Sequence, residues 1–210
     1  MAFNPDFGQV EADPSVLNLS AFETRLNEKR PFFVQGANFF SSWMRVFNSR
    51  RIGQRPGFIE PDAGDIVDRP NETTILSAAK ILGQTSTGVK YGIINAVTNQ
   101  EYASLELEKD GKIVKEDFLI EPYSNYFVGR VTKPFINELS AIGLMATDLR
   151  REGYSDVATS LKGDFLINLL DNKFSFTGEY GSTINNDKTG FGGRYRISYR
   201  NPVLWELAAW

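Results

Sequence analysis

Neither cysteine nor histidine occurs among the 210 residues. The first absence removes disulfide scaffolds, thiolate metal sites and cysteine nucleophiles. The second removes Ser-His-Asp and Cys-His catalytic arrangements and every imidazole-ligated metal. Chemistry, if the chain performs any, must rest on carboxylates, Lys, Tyr, Ser or Thr, and the residues nominate no cofactor. No stretch approaches the roughly 18 uninterrupted apolar residues of a membrane-spanning helix, so an integral membrane role is open only to a β-barrel. A basic excess is also missing. With 23 basic and 26 acidic side chains the net charge is -3, which lacks the footprint of a nucleic-acid partner. The opening Met1-Ala2-Phe3-Asn4-Pro5 has no basic segment followed by an apolar one, so no secretory leader is visible.

What is present is an alternation of period two. Phe174, Phe176, Gly178 and Tyr180 share one parity against Lys173, Ser175, Thr177 and Glu179. Phe191, Gly193, Tyr195, Ile197 and Tyr199 likewise oppose Gly192, Arg194, Arg196, Ser198 and Arg200. A helix would repeat every 3.6 residues instead. Phe127, Gly129 and Val131 against Val128, Arg130 and Thr132, and Leu161, Gly163, Phe165 and Ile167 against Lys162, Asp164, Leu166 and Asn168, repeat the facing. An aromatic and glycine face backed by charges suits a lipid-facing wall around a watery lumen. It equally suits a soluble β-barrel or sandwich with the aromatics turned into a core.

Strands are predicted near 73–84, 89–98, 124–134, 140–149, 156–168, 173–183 and 190–200, with an eighth starting at Pro202 or Val203. The connections near 85–88, 135–138, 169–172 and 201–202 are short, while 99–123, 150–155 and 184–189 are longer. Short turns on one rim and longer loops on the other are the outer-membrane pattern, with the short ones periplasmic. Greek-key crossovers give no reason for such sorting, although a soluble up-and-down barrel does. Within 99–123, Lys109-Asp110-Gly111-Lys112 is an Asp-Gly hairpin signal with charged flanks, expected to project outside the cell. The same parity calls for an odd number of crossings before residue 73, for which 36–48 is the candidate strand. Residues 1–70 are otherwise read as irregular, with many turn signals and paired aromatics, and with a short helix capped by Ser20 and Glu23. Tyr126, Phe135, Tyr154, Phe191, Tyr199 and Trp205 sit near strand ends, where interfacial girdles lie.

Five blocks carry a family likeness: 4–13 (Asn4-Pro5-Asp6-Phe7-Gly8-Gln9-Val10-Glu11-Ala12-Asp13), Glu28-Lys29-Arg30-Pro31-Phe32-Phe33 with Gly36, Ser49-Arg50-Arg51-Ile52-Gly53, Ala78-Ala79-Lys80, and 125–130. Together they resemble the barrel family described as domain of unknown function 5916, with departures at Asn27 and Gln35, where Pro and Glu are expected. The resemblance implies a bacterial outer-membrane barrel that follows a secretion signal and a carbohydrate-binding-like domain of family 9 type. On that view the chain is a piece of a longer Gram-negative protein.

The expected fold is therefore all-β: an antiparallel up-and-down meander forming a transmembrane β-barrel, or part of one, from 71–210, with an irregular region at 1–70 packed in its lumen. The expected function is an outer-membrane scaffold for binding or transport. Lipid is its partner, and carbohydrate-related ligands are admitted by the resemblance alone. A soluble barrel holding an apolar ligand and an outer-membrane hydrolase without histidine remain as alternatives. Arg130, Lys162, Asp164, Glu179, Arg194, Arg196 and Arg200 share the polar parity and are the candidate lumen-facing binding residues. Asp164 and Glu179 also form a possible two-carboxylate pair on neighbouring strands. Asn4, Asp6, Glu11, Asp13, Glu28, Lys29, Arg30, Arg50 and Arg51 are read as structural, through ion pairs and backbone anchoring. Asp6, Glu11 and Asp13 have oxygen ligands but not the spacing of a calcium loop, and Asn4-Pro5-Asp6 reads as a turn, so no metal site is expected.

Overall fold

A computed structural model describes residues 2–3, 27–42, 44–57, 65–109, 112–153, 157–186, 188–201 and 205–209. The expectations at Asn4, Asp6, Glu11, Asp13, Ser20, Glu23 and Tyr154 lie outside the described residues.

The alternating segments form one antiparallel sheet of nine strands. Its strands are β1 (Ala2–Phe3), β3 (Ile75–Gln84), β4 (Lys90–Thr98), β7 (Ser124–Phe135), β8 (Asn137–Arg151), β9 (Val157–Leu169), β10 (Phe174–Asn185), β11 (Lys188–Asn201) and β12 (Trp205–Ala209), in that spatial order. From β3 onward, strands adjacent in this order are also consecutive in the chain, apart from the one excursion through β5 and β6, so the meander is as expected. Among the described residues the sheet does not close into a barrel. β1 spans two residues of β3, β12 spans five of β11, and no pairing between these two outer strands occurs among the described residues.

Three expectations change. The described residues of 36–48 form no strand: Gly36 at φ 74° turns the chain, and Ala37–Phe40 is a 3-10 helix. The strand that precedes β3 in the sheet is instead β1, with Ala2 opposite Ala78. The connection read as longer at 184–189 is only 186–187, because pairing continues to Asn185 opposite Lys188. The sorting of loop lengths therefore fails on that rim. A second sheet was also not foreseen in full. The hairpin strands β5 (Glu101–Lys109) and β6 (Lys112–Glu121) pair with each other, and β5 also pairs with β2 (Asp65–Asp68), a strand too short to show a period.

Register sorts the main sheet into two unlike faces, because directly opposed residues share a side. One row runs Tyr91, Val131, Leu144, Gly163, Tyr180 and Gly193. Its side chains are exposed, as are those of Ile81, Ile93, Phe127, Leu161, Phe191, Tyr195 and Ile197 on the same face. The other face carries Ala78, Ile94, Ala96, Val128 and Met145, all buried, and then a charged group toward β10.

A strap formed by 27–57 covers this second face. Pro31 opens the helical turn Pro31–Val34 where its missing N–H costs nothing, and the Arg30 carbonyl accepts from Phe33 and Val34 N–H at 3.0 Å each. Ser49–Arg51 forms another 3-10 turn, capped by Asn48 Oδ1, which accepts from Arg50 N–H at 3.2 Å. Phe33, Phe40 and Ile52 of the strap pack with Ile75, Ala78, Ile94, Ala96, Val128 and Met145. This small core lies between strap and sheet rather than between two sheets. Gly92 makes it possible: a Cβ there would come within 2.8 Å of the Phe40 ring.

Candidate functional site

The polar parity of β7, β9 and β10 brings four of the expected residues into one buried ionic group. Arg130 donates from Nη1 and Nη2 to Asp164 Oδ2 and Oδ1, both at 2.8 Å, the paired geometry that a guanidinium offers a carboxylate. Lys162 is wholly buried. Its ammonium lies 3.3 Å from Glu179 Oε1 and 3.7 Å from Asp164 Oδ2. Asp164 and Glu179 stand directly opposite each other in register. Gly143 faces Asp164 from β8, and a Cβ there would meet Oδ1 at 2.7 Å, so the missing side chain leaves room for the carboxylate. Two cations against two anions balance the buried charge, which is costly when unpaired.

This group also holds the strap. Met44 donates its backbone N–H to Glu179 Oε2, and its carbonyl accepts from Lys162 Nζ at 3.4 Å. One residue of the strap is thus gripped at both of its main-chain groups by the same ion pair.

The strap's other anchors come from the blocks that carry the family likeness. Arg30 donates from Nη1 to the Ile52 carbonyl at 2.6 Å and from Nη2 to the Ser49 carbonyl at 2.7 Å. Its Nε and Nη2 also reach Glu28 at 2.8 Å each, and its guanidinium lies 4.4 Å from the Phe33 ring centre. Ser49 Oγ donates to Glu28 Oε2 at 2.6 Å. Partial burial pushes the Glu28 carboxyl up, but hydrogen bonds from Arg30 and Ser49 outweigh it and hold the group at about 2. Lys80 donates to the carbonyls of Phe32 and Gln35 and stands 4.9 Å from the Phe32 ring centre. Blocks far apart in sequence therefore meet as one clamp.

A cavity of about 520 Å³ remains between strap and sheet near the rim formed by the ends of β4 and β10. Ser42, Arg45 and Asn48 line it from the strap, and Tyr126, Ser160 and Asn185 from the sheet. Hydroxyls, two amides and a guanidinium beside aromatic surface suit a polar ligand with several hydrogen-bonding groups. Tyr126, read as an interfacial girdle residue, points instead to this covered side and is half-buried. Phe191 is exposed on the other face, and Phe135 and Tyr199 are half-buried.

The remaining expected residues are spread over the sheet and the strap. Arg194 lies opposite Glu179 in register and is exposed, Arg196 is half-buried opposite Thr177, and Arg200 is exposed opposite Glu206. Lys29 is exposed and donates its N–H to Glu28 Oε1 at 3.1 Å. Arg50 is half-buried, and Arg51 is exposed at the cavity edge. Met44 and Ser42 were missed because irregular backbone gives no period by which to place them. Asp164 and Glu179 have the adjacency of a catalytic carboxylate pair, but both are engaged by cations, and Glu179 also accepts from Met44.

These features define an all-β protein in which a two-faced antiparallel sheet carries a charge-locked strap. Residues 1–202 match the family described as a domain of unknown function, DUF5916, and the chain belongs to that family. Neither the curated proteins nor the solved structures gave a match.

Proposed function

We propose that the chain forms part of the wall of a bacterial outer-membrane β-barrel, with the strap seated on the lumen side, and that it acts as a scaffold for binding or transport. The cavity under the strap is the ligand site in this reading. Carbohydrate-related material is the ligand class that the family resemblance suggests. The observation that carries the proposal is the inversion of the sheet: aromatic and branched side chains are exposed, while lysine, arginine and carboxylates are buried beneath the strap. Tyr195 is 58% exposed and Leu161 57%, whereas Lys162 is 0%. A protein dissolved in water gains by the reverse arrangement, and so large an apolar surface marks contact with lipid or protein.

The same inversion counts against a soluble barrel with an apolar ligand inside, since the apolar part of the covered face is filled by Phe33, Phe40 and Ile52 of the strap and the rest carries the ionic group. A hydrolase reading loses its leading carboxylate pair to the ion pairs. The absence of native cysteine makes the test clean. Single cysteines placed at 191–197 and spin-labelled in reconstituted protein should alternate, with odd positions accessible to oxygen and even ones to a water-soluble relaxant. Accessibility without a period of two would reject the membrane wall. Calorimetric titration with a panel of oligosaccharides tests the ligand class. Binding that Arg45→Ala and Asn185→Ala leave unchanged would reject the cavity as its site.

A further inference from the structure

The exposed face is not uniformly ridged. Two adjacent register rows cross it: Lys133, Ile142, Phe165, Gly178 and Tyr195 in one, and Val131, Leu144, Gly163 and Tyr180 in the next. Between them lies an apolar groove of about 590 Å³, within the range of roughly 300–1,000 Å³ typical of small-molecule sites. Its shape follows from two glycines with different tasks. At Gly178 a Cβ would collide with the rings of Phe165 at 2.4 Å and Tyr195 at 2.7 Å, so its absence lets those rings close one end. Their centres are 6.4 Å apart. At Gly163 a Cβ would meet, among the described residues, only Leu144 Cδ2 at 3.7 Å, so this position is an open floor. Toward the rim where β7 turns into β8 the groove ends at Lys133, which is exposed and has no ion pair among the described residues.

We propose that this groove binds one acyl chain of an anionic glycerophospholipid, with the lipid phosphate held by Lys133. An apolar slot alone would accept any chain. The lysine at its mouth selects the headgroup, because an ammonium near a membrane surface attracts an anionic lipid. Its stem lies along the apolar wall while its charge reaches the boundary. The site rests on the membrane-wall reading, but it makes a separate claim: one place on the face is specific, whereas the rest contacts bulk lipid.

Detergent-solubilised full-length protein, titrated with phosphatidylglycerol or phosphatidylcholine and read by native mass spectrometry, tests the claim. The expected result is a first phosphatidylglycerol bound roughly fivefold more tightly than phosphatidylcholine. Lys133→Gln should abolish that preference while leaving chain binding. Gly163→Leu should fill the floor and remove the first site for both lipids. Equal first-site affinities in the native protein, or a preference untouched by Lys133→Gln, would overturn the groove. Should Gly163→Leu fail to fold, Leu144→Phe narrows the same floor from its side and must weaken the first site for both lipids. Failure of the membrane reading would show differently, as loss of the alternating accessibility at 191–197. Intact alternation with equal lipid affinities would sink this inference alone.

Discussion

Glu28 shows how a side chain can act across the strap. Its folded pKa of about 2 lies below the ordinary 4.5, so the unfolded chain binds the proton more readily between those values. The resulting stability is fully present above about pH 4.5 and is lost as pH falls toward 2, amounting to roughly 2 kcal/mol after allowance for its partial exposure. Glu28→Gln should remove that amount at pH 7 and flatten the acid limb of urea unfolding measured in micelles. An unchanged acid limb would show that the clamp does not bear on stability. The Lys162–Glu179 pair behaves differently because it is buried. Lys162→Met alone should cost about 3–5 kcal/mol by removing the buried cation that faces Glu179, whereas Lys162→Met with Glu179→Leu should recover much of it. A double-mutant cycle in the same unfolding assay checks this, and additive losses would contradict the pairing. The polar parity of these residues was plain in the sequence. Their grip on Met44 was not, since it depends on where an aperiodic segment crosses the sheet.

Elements with a sustained period were legible, and those without one were not. β7, β9, β10 and β11 lie within a few residues of their expected bounds, because each needs one face for each environment. Residues 36–48 misled through Trp43, Arg45 and Phe47, whose spacing mimics a strand while Gly36 and the following 3-10 turn break it. β2 and the two-residue β1 were invisible for the same reason of length, whereas the strand expected from Pro202 or Val203 is the edge strand β12, beginning at Trp205. The two faces yield an element-scale prediction. Tyr195→Arg or Ile197→Arg should cost about 2–4 kcal/mol if near the bilayer midplane, and Arg194→Ser little. Equal costs would remove the distinction between faces. Topology gives another: an epitope inserted between Lys109 and Lys112 should be reached by antibody on intact cells, and one at Asp171 should not. The reversed pattern would turn the sheet over. The two-residue connection at 186–187 breaks the sorting of loop lengths between the rims, so the epitopes decide the orientation.

For the whole molecule, the proposed membrane wall makes the strap decisive for whether the polar side of the sheet is an open path or a filled one. It places Phe40 over Gly92 and engages Lys162 and Glu179 through the main chain of Met44, so in that reading two charges that would line a passage are held by the strap. Full-length protein in planar bilayers should therefore conduct little. The Lys162→Met, Glu179→Leu double variant, having lost the grip on Met44, should conduct more. Large, stable conductance from the unmodified protein would show that the strap does not fill the passage. The same grip has a consequence in time. Met44 and Glu179 are 135 residues apart along the chain, and Met44 and Lys162 118. Contacts this distant in sequence form only after a long loop has been closed, which slows their appearance. The strap leaves the ribosome early but can settle only once β9 and β10 stand side by side. Its seating is thus a late event in refolding, and the order of synthesis is the reverse of the order of assembly.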